Sequence, residues 1–517
     1  MSRRANALIA AVFSYGQTAF AVLVGFAVTR VVVGSLGADR YGLWLATGAL
    51  LGYATLADLG TFAVMPWLFA EADSQQDSTR MRSLVLHGLL AGVVSGALYV
   101  VLALVLWLAF PSLLHLTEAD RAMLAGPLFV MVLGVAVSYP LRLFSTLCQG
   151  QQDFKFMGPF QLLQILASGL LAYVLVRLDC GLYAVGLAAA VPPFIPGMAA
   201  VHRALTRNRH LFRGWPRPSW REVKPILTSG TGTWLGALGW QLAFATDSVI
   251  LASVGLRGDI SSFAVTSRIC FALMQLGWVI PDSACVGLAQ LHAEGNAART
   301  ANVVRSILRV TLFLTGGVVC VSLSINAAFV SLWVGPELFG GARLNAIFGL
   351  DIVVLSVVHA LVTTAAVLGH RMQVGLVTLV NGGFHIGLAL LLGRWFGTSG
   401  VAAATAVSAL GTSIPVGLYL LRHAMPLRSI AADLAAWLLR LGPCATAAAL
   451  LGWISLQPHL VPPGRFGALA IGGAGAAISS VAYVLAMRPM LRDLPLGDRV
   501  RRWCRLPAPS GARMSEG

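Results

Sequence analysis

Apolar stretches long enough to cross a hydrocarbon layer of roughly 30 Å recur from one end of the chain to the other. Lipid offers no hydrogen bonds to a backbone, so a run of such stretches can only be a set of helices that satisfy their own polar groups. The pattern therefore predicts an all-α polytopic membrane protein. Composition agrees: of 517 residues 57% are apolar and 11% charged, against about 25% charged in a soluble protein. A water-facing globule, a disordered chain and a disulfide-stapled secreted domain are all excluded. The first apolar stretch, 5–33, is too long for a signal-peptide core and is followed by others, so it is expected to be a retained span.

The same composition removes several chemistries. The seven cysteines are scattered with no C-x-x-C pair, which argues against a disulfide framework and against zinc. The only lysines, Lys155 and Lys224, do not follow a glycine, so the phosphate-cradling G-x-x-x-x-G-K-[ST] loop is absent. There is no H-E-x-x-H and no D-x-D pair to hold a metal and a nucleotide sugar. The run from Gly230 to Gly236 has one residue too many for G-x-G-x-x-G and lies in a span. No catalytic centre, metal or cofactor is expected.

Glycine, proline and charge punctuate the hydropathy into about fourteen spans, at 6–34, 41–70, 83–110, 122–147, 156–177, 181–202, 226–254, 261–290, 304–333, 344–369, 372–393, 398–421, 436–456 and 464–487. With the N-terminus in the cytoplasm, inner segments hold 25 Lys and Arg and outer segments seven. That asymmetry follows the positive-inside rule and places both termini in the cytoplasm. The net charge of +16 is then largely topological. It predicts contact with anionic lipid headgroups rather than nucleic acid.

The chain also echoes itself. Ala70-Glu71 and Ala293-Glu294 stand 223 residues apart; Glu118 and Glu337, Gly150 and Gly369, and Gly181 and Gly400 each stand 219 apart. The offset equals six spans, an even number, so the two copies share one orientation, as in transporters built from parallel repeats with a site between the halves. The expected organisation is an N-lobe at 1–204 (spans 1–6), a basic cytoplasmic linker at 205–225, a C-lobe at 226–425 (spans 7–12), two further spans within 426–490 and a basic cytoplasmic tail at 491–517.

Specific residues sharpen this. Tyr41-Gly42-Leu43-Trp44 followed by Asp58-Leu59-Gly60, then Thr246-Asp247-Ser248-Val249-Ile250 and Leu332-Trp333-Val334-Gly335-Pro336, resemble in kind and order the polysaccharide flippases of the Wzx type. That family belongs to the superfamily that also holds the multidrug and toxin extruders and the lipid II flippases. The resemblance covers about residues 1–425 and extends to the two extra spans. It implies two six-helix lobes in a bacterial inner membrane. They would move a lipid-linked oligosaccharide, on a polyprenyl diphosphate, by alternating access, beside a polysaccharide polymerase or export machinery. Proton, sodium or membrane-potential coupling are all compatible with it. The rivals are a drug/cation antiporter of the same fold, which would want an acidic cavity, a lipid II flippase, and a membrane polymerase or ligase. The last is disfavoured because no outer loop exceeds about a dozen residues.

A charge at mid-helix costs about 2.5–3.5 kcal/mol on insertion scales, so each retained one needs a reason. Arg30 and Asp247 fall at similar depth in spans 1 and 7, which suggests an ion pair between lobes. Asp58 and Asp282 are 224 residues apart in spans 2 and 8, and Arg268 lies about two turns into span 8. As functional groups these would line a wet cavity, the arginines meeting a diphosphate bidentately and the aspartates pairing with them when the site is empty. The competing explanations are snorkelling for Arg30 and Arg268, helix pairing for the aspartates, and backbone freed by Pro281 for Asp282. Gln17, Gln241, His359, Asn381 and His385 are the uncharged candidates. Asn381 and His385 share a helix face, and hydrogen-bonded glue between helices is the alternative for each. Trp44, Trp67, Trp333 and Trp395 fall near span ends and are expected to anchor at the interface.

Overall fold

A computed structural model describes residues 3–491, apart from 215, 294–296, 423, 425–426, 458 and 460–465. The expected tail at 491–517 therefore lies almost wholly outside the described residues. The chain divides into two compact units, with the boundary between Gln241 and Leu242. Unit 1 contains α1 (Arg3–Leu36), α2 (Ala38–Ala54), α3 (Thr61–Ser74), α4 (Ser78–Leu114), α5 (Glu118–Gly150), α6 (Phe154–Arg177), α7 (Tyr183–Ala190), α8 (Phe194–Arg207) and most of α9 (Trp220–Phe244). Unit 2 contains α10 (Asp247–Ser253), α11 (Ile260–Ala293), α12 (Ala297–Trp333), α13 (Gly341–Ala365), α14 (Arg371–Phe396), α15 (Thr398–Gly411), α16 (Ser413–Leu421), α17 (Leu427–Ile454) and α18 (Gly467–Leu491).

Among the described residues eleven helical stretches are long and apolar enough to span a membrane, or twelve when α9 and α10, bent by 44° at their junction, count as one. Fourteen were expected. Two of those, 344–369 and 372–393, fall in one helical stretch, Gly341–Phe396, which turns at Gly369 (φ 100°) where α13 passes into α14. A third, 261–290, corresponds to α11, whose inner half includes side chains outside the described set.

Unit 1 is built on a glycine seam. Gly88, Gly92 and Gly96 recur every fourth residue along α4, which lets another helix approach its backbone. A Cβ at Gly92 would stand 2.8 Å from the Cα of Pro140, and one at Gly96 would stand 2.7 Å from the Ala136 carbonyl oxygen. α5 is thereby seated on α4 from Ala136 to Leu143. The expected second span is not continuous: α2 ends at Ala54, a tight turn carries Thr55–Asp58, and Leu59 and Gly60 take left-handed conformations before α3. At Gly60, whose φ is 75°, a Cβ would lie 2.6 Å from the Gly230 carbonyl oxygen. Only glycine meets both demands. α9 packs against this break and so belongs with unit 1, although its residues fall in the expected C-lobe.

In unit 2, α12 is the hub that α11, α13, α17 and α18 pack against. The buried Tyr483 of α18 donates to the carbonyls of Leu312 (3.2 Å) or Phe313 (3.0 Å) on α12 and accepts from Trp437 Nε1 of α17 at 2.9 Å. Gly316 makes room for it, since a Cβ there would run into the hydroxyl. Asp433 of α17 closes the same joint toward the helix start, taking Arg305 and Arg309 at 2.8 Å each. A second buried cluster ties α11 to α12 and α13: Asn326 Nδ2 donates to Thr266 O and to Asn345 Oδ1, both at 2.8 Å. The helix lengths echo the sequence repeat. α4 and α12 are each 37 residues long, and their first residues, 78 and 297, stand at the 219-residue offset. Gly37 and Gly255, just before the second span of each copy, share positive φ values of 82° and 85°.

Candidate functional site

Asp58 sits in the break of span 2, not within a helix. One carboxylate oxygen accepts from the Gly60 N–H at 3.1 Å, so part of its role is to close the left-handed turn. The carbonyls that the break releases are taken up by neighbouring helices. Tyr139 of α5 donates its hydroxyl to Thr55 O at 2.8 Å, and Trp234 of α9 donates Nε1 to Leu56 O at 2.9 Å. Beside this turn lies Arg142, its guanidinium 4.3 Å above the Tyr139 ring and within electrostatic reach of Asp58.

Further along α9, the Gln241 amide packs where a Cβ on Gly52 would sit. Its backbone carbonyl accepts from the Tyr53 hydroxyl at 3.3 Å, so Gln241 joins α9 to α2. Gln17 is also helix glue, donating to Gln161 of α6 at 2.8 Å. Arg30 is exposed on α1, while its neighbour Thr29 is buried with its hydroxyl 3.4 Å from that of Tyr41.

In unit 2 the expected pairing of Asp247 takes another form. Its carboxylate, at the first turn of α10, is engaged by His385 Nε2 of α14 at 3.0 Å. The pair is sealed, with the two side chains 10% and 0% exposed. An imidazole from its own unit offsets this charge. Asn381, one turn before His385, accepts from the Thr412 hydroxyl at 2.9 Å and is likewise buried. The shared face of Asn381 and His385 is thus a helix-packing face. Asp351 of α13 is buried as well, 1% exposed. Neither Asp351 oxygen, nor Nδ1 of His385, has a hydrogen-bond partner among the described residues.

A separate group in unit 2 joins two expected residues. His359 of α13 stacks on Trp278 of α11, with ring centroids 4.4 Å apart and planes 13° from parallel. Its Nε2 stands 2.9 Å from Asp282 Oδ1, and the Asp282 side chain is 56% exposed. Asp282 therefore has a side-chain partner besides any backbone released by Pro281. Arg268 is exposed on the opposite half of α11. The structure thus resolves the expected set into Asp58 at the break of span 2, Asp247 with His385 and Asn381, Asp282 with His359, two glutamines that join helices, and two exposed arginines. Sequence reading passed over Asp351, although an acid seven residues into span 344–369 was a visible signal. It left Arg142 unassigned because that residue falls near a span end. Trp44 and Trp333 are buried in their own units, whereas Trp67 and Trp395 are exposed as interface anchors would be.

No protein-family model and no curated protein sequence matches this chain. Solved structures do. An inward-facing multidrug-resistance MATE transporter of the MOP superfamily superposes with a TM-score of 0.62 at 15% identity, covering 80% of this chain and 96% of that one. The lipid II flippase MurJ, in an inward closed conformation, gives 0.61 at 14% identity, covering 94% and 99%. A single-substitution mutant of the Vibrio cholerae MATE transporter VcmN gives 0.53 at 15%, covering 81% and 98%. At these identities the likeness establishes the fold alone: an all-helical, multi-pass membrane architecture like that of these MATE transporters and MurJ.

Proposed function

We propose that this chain, on its MOP-superfamily fold, is a flippase. It carries a polyprenyl-diphosphate-linked oligosaccharide across the bacterial inner membrane by alternating access, for surface polysaccharide synthesis. The need is physical: a charged glycan does not cross hydrocarbon unaided, and a polar path through the protein removes that desolvation cost. The tail would remain in the bilayer.

One observation supports this reading above the others, namely which intramembrane charges are left unengaged. Asp247 is held by His385, Asp282 by His359 and Asp58 in part by the Gly60 amide, while Asp351 is sealed inside unit 2. The guanidinium groups of Arg30, Arg142 and Arg268 have no carboxylate of their own unit within 4 Å among the described residues. Positive charge without a carboxylate of its own unit suits a phosphate-bearing substrate and not the cations an antiporter of this fold would export.

A second reading, flipping of lipid II itself, is favoured by the extent of one likeness. The superposition with MurJ covers 94% of this chain, and the part left out is shorter than α17 and α18 together, which have 28 and 25 residues. At least part of the appended pair thus has a counterpart in a lipid flippase. Deleting the gene separates the readings. Lipid-linked repeat units accumulating on the inner leaflet, with loss of surface polysaccharide, is the expected result. Arrested cell-wall synthesis would support lipid II, and normal polysaccharide with heightened sensitivity to cationic dyes would support drug export.

A further inference from the structure

Arg142 stands beside the break of span 2. It lies eight residues before the end of α5, in the half of the membrane expected to face the cytoplasm. Its surroundings are rigid. Tyr139, which underlies the guanidinium, is fully buried, packs against Tyr99 and Phe62 with centroids 5.7 and 6.5 Å away, and is tied by its hydroxyl to Thr55 O. The glycine seam of α4 fixes the backbone of this segment of α5. A guanidinium stacked on a ring keeps its N–H edge available for a planar, forked contact.

Only part of that edge is spent, on the Tyr139 hydroxyl, since a guanidinium carries five N–H donors. Asp58 supplies a nearby negative charge, but it makes no contact with Arg142 within 4 Å among the described residues. One of its oxygens is committed to the Gly60 amide. Both side chains are only partly buried. A cation and an acid on separate elements, short of a salt bridge, can each take a further charged partner. The second repeat carries a related arrangement. Asp282, at the 224-residue offset from Asp58, faces His359 of α13, and that ring rests on Trp278.

We infer that Arg142, seated on Tyr139 at the break of span 2, binds a phosphoryl anion in a forked contact, with Asp58 as the internal counter-ion that this anion displaces. The inference rests on the flippase reading and adds a residue to it: the phosphoryl group belongs to the lipid-linked substrate entering from the cytoplasmic side. A free inorganic phosphate offers the same chemistry, and the test separates the two sources.

The full chain in detergent is titrated with pyrophosphate, with farnesyl diphosphate and with farnesol, following heat or intrinsic tryptophan fluorescence. Farnesyl diphosphate should bind and farnesol should not. R142Q should weaken diphosphate binding by about tenfold or more, the loss expected for charge-assisted hydrogen bonds. R142K, a point charge without the fork, should lie between, and it decides the matter if R142Q does not purify as a single species. D58N should tighten binding, since it removes the competing anion. Pyrophosphate binding as tightly as the prenyl compound identifies a site for the free anion; a clear preference for the prenyl compound identifies the lipid-borne group. Undiminished binding in R142Q overturns the inference and leaves the flippase reading standing. Failure of the wild type to bind either diphosphate removes both.

Discussion

Asp247 and His385 show what one residue can and cannot reveal. An aspartate within an apolar run signals that a partner exists, because an isolated carboxylate is too costly in a low-dielectric interior. The partner's identity depends on which helix arrives opposite, and here it is an imidazole 138 positions along the chain at 3.0 Å. Breaking such a pair from one side leaves an uncompensated buried polar group, at a cost of about 3–5 kcal/mol when the pair is ionised. His385→Ala and Asp247→Ala should therefore each lower the thermal unfolding midpoint of the purified protein. Asp247→Asn, which keeps a hydrogen-bonding oxygen, should cost less than Asp247→Ala. Equal midpoints for all three and the wild type would mean that the pair contributes nothing to folding.

Helix seams depend on which neighbour arrives. Spacing by four along Gly88, Gly92 and Gly96 was readable as a small-residue stripe, but many such stripes occur in a chain with 55 glycines. Tertiary structure selects this one, because Pro140 and Ala136 of α5 come against it. Gly92→Leu should force α4 and α5 apart. The expected penalty is about 1–3 kcal/mol, as for overpacking of other tight cores, read as a lower unfolding midpoint. Gly48→Ala is the control, since a Cβ at Gly48 meets nothing within 4 Å. The break of span 2 follows the same logic. The sequence reading runs span 2 unbroken through Asp58-Leu59-Gly60, because the left-handed turn and its closure by Tyr139 and Trp234 depend on α5 and α9 being present.

For the whole molecule, the proposed transport rests on positive charge retained within the membrane, so its test must be transport. Arg30→Ala combined with Arg268→Ala should abolish complementation of a deletion strain while the protein remains inserted at wild-type levels. Full activity in that double variant would remove both arginines from the substrate path. The fold class was legible from hydropathy alone, and the repeat offset of 219 reappears in the starts of α4 and α12. The span count was less legible. Hydropathy weighs composition and is blind to backbone direction, so it did not locate the break at Thr55–Gly60, whereas the boundary it set between 369 and 372 falls at the turn of Gly369.

By itself the sequence determined that the chain lies in a membrane as helices, because no other element satisfies an extended apolar backbone there. It also determined which residues carry charge into that setting. Pairing was decided only by the tertiary structure: His385 against Asp247, His359 and Trp278 with Asp282, and Arg142 over Tyr139 beside the turn of Asp58. The reason is one of range. Insertion depends on the hydropathy of about twenty consecutive residues, whereas a contact of 3 Å between helices far apart in sequence depends on how every intervening seam packs.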